Sequence, residues 1–174
     1  MLLIWLLIIF FTAYIKMTRK YDLSKIDRKI LRELQKEGRI TYSELASRVG
    51  LSTSPCLERV RRMERDGIIQ GYTTLVDPHA LDADLIVFVQ IKLTRTSQDT
   101  FERFKAAAAK LEEVQECYLI SGNFDYLIKA RLSDMDSYRK FLGTTILSLP
   151  DVLESTSYFV MELVKETLNI AVPE

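Results

Sequence analysis

The sequence predicts an α+β chain in two parts. A winged helix-turn-helix spans residues 17–76, a hinge follows at 77–83, and a ferredoxin-like βαββαβ domain spans residues 84–174. Three observations predict this. Apolar stripes at helical spacing recur three times between Ser24 and Arg65, with glycines at 38, 50 and 67 behind them. Past Asp77-Pro-His79 the apolar period changes, and strand patterns alternate with two further helices. The charge also changes sign: Lys+Arg against Asp+Glu is 13 to 9 from Met17 to His79 and 10 to 15 from Ala80 to Glu174.

The first 15 residues, Met1 to Ile15, are apolar and uncharged. The stretch is shorter than the ~20 apolar residues of a membrane span. It lacks the basic start and cleavage site of a secretory leader. A membrane anchor, an oligomerisation segment and translated sequence ahead of a start at Met17 are the three readings. The last is preferred, because a bare apolar tail invites aggregation.

The first helix begins at Ser24, with Asp27 at capping-box spacing, and Ile26, Ile30, Leu31 and Leu34 on one face. Gly38 is expected to end it. Thr41 and Glu44 repeat the capping-box spacing, the carboxylate reaching back to the first N–H, and Leu45, Ala46 and Val49 form the apolar face. Gly50 supplies the left-handed stop, and Leu51 tucks between the helices. Ser54 is the expected N-cap of the third helix, with Pro55 at its first position.

At about 100° per residue, Cys56, Leu57, Val60 and Met63 form the buried side of that third helix. Ser54, Glu58, Arg61, Arg62 and Arg65 fall opposite. An apolar-anchored helix showing guanidinium groups suits the major groove of double-stranded DNA. A solvated charged face is the commoner meaning of an Arg-rich helix alone; the capped helix and tight turn before it favour helix-turn-helix. Thr53, Ser54, Glu58 and Arg62 are placed near base edges, and Arg59, Arg61 and Arg65 towards the backbone. Ile68 to Val76 reads as a β-ribbon turning near Gln70-Gly71, the wing.

In the second half, Leu85 to Leu93 alternates as a strand, and Asp99 to Leu111 is a helix buried through Phe101, Phe104, Ala108 and Leu111. Strands follow at Val114 to Ile120 and Tyr126 to Leu132, around a turn at Ser121 to Asp125. Ser133 or Asp134 caps a helix running through Met135, Tyr138, Leu142, Ile146 and Leu149 to Pro150. A last strand spans Ser155 to Met161, extendable to Val164. Both helices cover one sheet face, leaving the other bare, with Ile86, Phe88, Tyr118 and Phe159 on it. About 90 residues cannot cover that face, so it predicts a homodimer.

Composition bounds the chemistry. At 174 residues, 48% apolar and 28% charged, the chain is globular, and its net charge of zero argues against indiscriminate nucleic-acid binding. Two cysteines, Cys56 and Cys117, lack metal-ligand spacing and read as small buried residues in a reducing cytoplasm. No Ser/His/Asp set or phosphate-cradling glycine loop is present, and the one histidine, His79, sits beside a proline. No catalytic residue, metal or cofactor is expected.

Ile26-Asp-Arg-Lys-Ile-Leu-Arg-Glu-Leu-Gln-Lys-Glu-Gly-Arg39, Glu44-Leu-Ala-Ser-Arg-Val-Gly-Leu-Ser52, Cys56-Leu-Glu-Arg-Val-Arg-Arg62 and Gly122-Asn-Phe-Asp-Tyr126 closely resemble the Lrp/AsnC family of transcriptional regulators. The likeness runs from about Asp22 to about Lys165. It implies a cytoplasmic, nucleoid-associated regulator whose second half is an effector-binding (RAM) domain. It further implies dimers that assemble into octamers or larger rings, and an amino-acid effector such as leucine, bound near the turn between the second and third strands. Here that turn carries Ser121, Gly122, Asn123 and Asp125; the family often has an acid where Asn123 stands, which alters the charge of the site.

Read alone, Gly122 lets backbone N–H groups approach a carboxylate and Asp125 can pair with an ammonium. Leu119, Met135, Tyr158 and Val160 are candidate apolar contacts. The plain alternative is a hairpin turn with a core behind it. Two other functions are carried: an effector-independent architectural DNA-binding protein, and a membrane-tethered amino-acid sensor using Met1 to Ile15.

Overall fold

A computed structural model of the chain describes residues Tyr21 to Glu174, so the apolar segment Met1 to Ile15 lies outside the described residues. Among the described residues no helix is long and apolar enough to cross a membrane. The chain divides into two compact units. One contains the described residues up to Thr74 together with Thr167–Glu174; the other is Leu75–Glu166. The sequence pattern places those last eight residues in the second domain, but they bond to the first unit.

In the first unit, helices α1 (Lys25–Lys36), α2 (Tyr42–Val49) and α3 (Thr53–Arg65) surround a core of Ile30, Leu45, Ala46, Val49, Cys56, Val60 and Met63. The α1 capping box forms as expected, the Ser24 hydroxyl accepting from Asp27 N–H and the Asp27 carboxylate accepting from Ser24 N–H. Thr41 caps α2, but Glu44 does not reach back; its carboxylate takes a bond from Arg48 instead. Gly50 is left-handed (φ 77°) and Leu51 N–H bonds to Ala46 C=O, the predicted stop.

Gly38 is not left-handed; α1 ends earlier, at Lys36, with Glu37 as its cap. The third helix also starts earlier, at Thr53 after Ser52, which puts Pro55 third rather than first. Proline fits either way, because the first four N–H groups of a helix have no partner within it. The predicted ribbon does not form: Gln70 to Val76 pair with no strand. The Ile68 and Ile69 N–H groups are used at the end of α3, both bonding Met63 C=O. The Tyr72 hydroxyl then ties the extended chain back to Glu64 at 2.9 Å.

The outer face of α1 holds the returning tail. Gln35 donates to Ile170 C=O at 2.9 Å and accepts from Ile170 N–H at 2.7 Å, while Arg32 donates to Val172 and Pro173 carbonyls. Arg28 donates to the carbonyl of Glu174.

The second unit is a four-stranded antiparallel sheet in the order β2-β3-β1-β4, from β1 (Leu85–Leu93), β2 (Val114–Leu119), β3 (Tyr126–Leu132) and β4 (Val152–Phe159). Helices α4 (Gln98–Ala108) and α5 (Met135–Lys140) follow β1 and β3, completing the predicted βαββαβ order. Val87, Val89, Ile91 and Leu93 from β1 and Tyr126, Ile128, Ala130 and Leu132 from β3 meet Phe104, Ala108, Tyr138, Phe141 and Ile146 in the core. Phe104 stacks on Tyr126 with ring centroids 4.3 Å apart.

The second helix is shorter than predicted. After Lys140 it loosens into a π turn at Phe141–Thr145 and a 3₁₀ turn at Ile146–Ser148, still burying Phe141, Ile146 and Leu149. The last strand begins earlier, at Val152, and stops at Phe159; beyond it Val160 N–H bonds Ile86 C=O, and Glu166 pairs with Lys129 and Arg131 of β3. Register corrects the bare face. Phe159 lies opposite Val87 on the helix side, edge-on to Tyr138, and Tyr158 opposite Phe88 takes its place. Cys56 is buried as expected, but Cys117 is exposed on the edge strand β2, which has a neighbour on one side only.

Candidate nucleic-acid interface and effector turn

The cationic side of α3 is open. Thr53, Ser54, Glu58, Arg61 and Arg65 are exposed, and Arg61 and Arg65 make no ion pair among the described residues. Their opposite side supplies Cys56, Val60 and Met63 to the core with no residual exposure. A helix so anchored shows its polar side in a fixed orientation, with alcohols at its start and guanidinium groups further along. Such a surface suits phosphates and guanine edges.

Arg59 and Arg62 behave differently, and the sequence reading missed it. Both turn towards α1, where Asp27 is 1% exposed. Arg59 Nη1 donates to Asp27 Oδ1 at 3.0 Å and Arg62 Nη2 to Asp27 Oδ2 at 2.8 Å; the Ser24 hydroxyl adds a bond at 2.7 Å. The signal was present: Asp27 sits inside the stripe Ile26, Ile30, Leu31, Leu34, and a carboxylate in an apolar stripe needs a cation or donors. A second knot lies nearby, where Arg48 of α2 donates to Glu33 at 3.3 Å and Glu37 at 2.9 Å and also to Glu44.

Burial pushes the Asp27 carboxyl upwards, but the Ser24 hydrogen bonds, the Arg59 bond and the Arg62 charge outweigh it and hold the group below its ordinary 3.8. A carboxyl lowered by folding stabilises the native state fully above its unfolded pKa of about 3.9, and that contribution fades as pH falls through the folded value. Urea unfolding of the wild type and Asp27→Asn should therefore differ at pH 5 to 7, with the gap narrowing from about pH 4 downwards, the unfolded carboxylate range, and closing only below the lowered folded value. A gap unchanged down to pH 2 would remove Asp27 from the acid response.

The proposed effector residues do not gather in one place within a single chain. Ser121, Gly122 and Asn123 are exposed at the β2–β3 turn, with Leu119 beside them opposite Tyr126. Asp125 N–H bonds Ile91 C=O, whereas Val160 N–H bonds Ile86 C=O, five residues away on β1. At ~3.4 Å per residue that separation is about 17 Å. Tyr158 lies between, on the open face opposite Phe88, and Met135 follows the far end of β3.

The turn itself is tied down. Asp125 Oδ2 accepts from Leu93 N–H at 2.7 Å, so this carboxylate stitches the β2–β3 turn to β1. A Cβ at Gly122 would meet nothing within 4 Å, so the position is open on this chain's own surface. A small cavity of about 230 Å³ next to the turn is lined by Gln90, Lys92, Asn123, Phe124, Glu154 and Thr156.

A trihelical unit that shows a cationic helix, carried with a ferredoxin-like unit, defines a DNA-binding transcriptional regulator with a ligand-binding domain. Residues 23–70 match the winged helix-turn-helix DNA-binding model and residues 86–170 the Lrp/AsnC ligand binding domain. The chain belongs to the Lrp/AsnC family.

It is 60% identical over 151 residues to the leucine-responsive regulatory protein of Salmonella typhimurium, covering 87% of this chain and 92% of that one. The leucine-responsive regulatory protein of Escherichia coli K12 is 59% identical over the same shares. Among solved structures, a transcriptional regulator of Neisseria meningitidis in complex with L-Met superimposes with a TM-score of 0.81 at 38% identity, covering 86% of this chain and 96% of that one. AsnC of E. coli gives 0.78 at 27% identity, covering 88% and 100%.

Proposed function

We propose that the protein binds double-stranded DNA with sequence preference through α3, in the cytoplasm and on the nucleoid, and that an amino acid such as leucine modulates it. The observation that carries this reading is the open, arginine-bearing side of α3 on a closed apolar anchor. Thr53, Ser54 and Glu58 face base edges in the major groove, and Arg61 and Arg65 neutralise phosphates. Arg59 and Arg62 are held at the same surface by Asp27.

Dimers form through the open sheet face, where Phe88, Tyr118, Leu127 and Tyr158 lie together by register; Tyr118 and Tyr158 are half-exposed. These side chains share the face with Gln90, Glu116, Lys129 and Arg131, the two cations paired to Glu166; apolar groups so placed on a small domain favour burial against a second copy, and dimers assemble further into octamers or larger. An effector that changes regulation must bind two assembly states with different affinity.

The amino acid sits at the β2–β3 turn, near Ser121, Gly122, Asn123 and Asp125. The Asp125 oxygen not bonded to Leu93 N–H faces the ammonium. Leu119, Met135, Tyr158 and Val160 lie far apart on one chain; their contacts to a single ligand require neighbouring subunits. The relatives named for leucine and the neighbour bound to L-Met support an aliphatic or thioether side chain.

Asp125→Asn keeps a carbonyl for Leu93 N–H and removes the charge. It should lose the response of assembly state to leucine or methionine, read by light scattering, with DNA affinity within about twofold of wild type, since a charge-assisted contact of about 1.5 kcal/mol or more is lost only at the ligand. A retained response would take Asp125 out of the site and favour the effector-independent, architectural reading.

A further inference from the structure

We propose that Asp27 is a positioning residue for DNA readout: it holds Arg59 and Arg62 of α3 as two oriented forks, so that they discriminate among sequences instead of gripping any phosphate. The inference rests on the reading that α3 enters the major groove.

Among the described residues of the first unit Asp27 is the buried carboxylate, at 1% exposure, yet it belongs to α1 and not to the helix that carries the arginines. Each of its oxygens takes a different guanidinium: Arg59 Nη1 on Oδ1 at 3.0 Å, Arg62 Nη2 on Oδ2 at 2.8 Å. The Ser24 hydroxyl and N–H also donate to Oδ2, at 2.7 and 3.0 Å, and Arg59 Nη1 reaches the Ser24 hydroxyl at 3.3 Å. The carboxylate is therefore fixed from two sides, and it fixes what binds to it.

A guanidinium has five N–H donors in a rigid fork. The bonds to Asp27 use a minority of them. The side chains of Arg59 and Arg62 remain 34% and 45% exposed, so the rest of each fork reaches solvent. One carboxylate against two guanidinium groups also leaves a net positive charge there. An arginine already held loses little rotamer freedom when it meets a base, whereas a mobile one must be ordered at that moment. Freed from Asp27, the same side chains would sweep the surface and pair with whichever phosphates came within reach. That raises non-specific binding and its salt dependence. Arg61 and Arg65, without partners among the described residues, already do that work.

The test compares wild type with Asp27→Asn on two duplexes of equal length: one selected from a random pool by the wild type, one unrelated. Asparagine keeps the size of the side chain and can still accept from Ser24 N–H. Circular dichroism and light scattering establish that fold and assembly are unchanged. The expected result is a specific-to-non-specific affinity ratio lowered by about tenfold or more, the value of a misplaced bidentate base contact. The slope of log affinity against log salt should steepen by about 0.9 for each phosphate gained.

A part that is only structural would lower thermal stability and scale both affinities alike, leaving ratio and slope where they were. That outcome overturns the inference. Should Asp27→Asn fail to fold, Arg59→Lys with Arg62→Lys keeps the charge and removes the forks. The ratio should again fall about tenfold, and an unchanged ratio overturns the inference equally. A wild type that binds neither duplex at low salt removes the DNA-binding reading itself. Wild-type discrimination retained in the variants removes only the role of Asp27.

Discussion

Replacing Arg61 and Arg65 together with alanine should weaken duplex DNA binding by on the order of 10²-fold, taking each charge-assisted bond at about 1.5 kcal/mol. Both side chains are exposed on α3 and free of ion pairs among the described residues, so no internal ion pair there is lost with them. Alanine is also the best helix former, which keeps α3 intact. The loss should be uniform across sequences, and the salt slope should shallow by about 1 for each phosphate contact removed. Anisotropy titrations from about 50 to 200 mM salt read both, over the range where such contacts are most salt-sensitive. Affinity that survives unchanged would place the phosphate contacts elsewhere.

The largest effect on stability is expected at Phe104. Its side chain is fully buried, stacked at 4.3 Å on Tyr126, which in turn takes Phe101 edge-on at 6.0 Å. Phe104→Ala removes the ring that α4 inserts against β3 and leaves a cavity that a stacked aromatic pair cannot refill. The expected cost is about 3–5 kcal/mol, against a usual net stability of about 5–15 kcal/mol. The urea midpoint of the transition that reports on the second unit should fall accordingly. A cost under about 1 kcal/mol would mean that the site collapses around the change, contrary to close packing.

Much of the fold was readable in the residues because periodicity and caps are local. Ser24 and Thr41 cap where spacing placed them, Asp134 is the cap of the two residues that the spacing allowed, and β1 and β3 have the predicted limits. The failures are of another kind. Phe159 changed faces because strand register depends on the partner strand, which no single segment specifies. The wing did not pair: the N–H groups of Ile68 and Ile69 bond the end of α3, and Gln70 to Val76 run on without a partner strand. The second helix loosened after Lys140, and the π turn buries Phe141 where the spacing pointed to Leu142, which is only partly buried, while Met135 stays half-exposed.

The candidate site divides along the same line. The exposed row on α3 follows from helix geometry alone. The bonds from Arg59 and Arg62 to Asp27 join positions 32 and 35 residues apart, and the Asp125 bond to Leu93 N–H spans 32. Such pairings depend on how helices and strands come together. Both were hinted at only by an acid standing where an apolar or turn residue was expected. The tail bonds from Ile170 to Gln35 span 135 residues and left no mark in the local pattern.

The most direct measurement of whether α3 enters the major groove is dimethyl sulfate protection on a bound duplex. The reagent methylates guanine N7 in the major groove and adenine N3 in the minor groove, so the two grooves are read separately. The account predicts guanine N7 protection at the bound site. Binding with every guanine N7 still reactive, or protection confined to adenine N3, would contradict it.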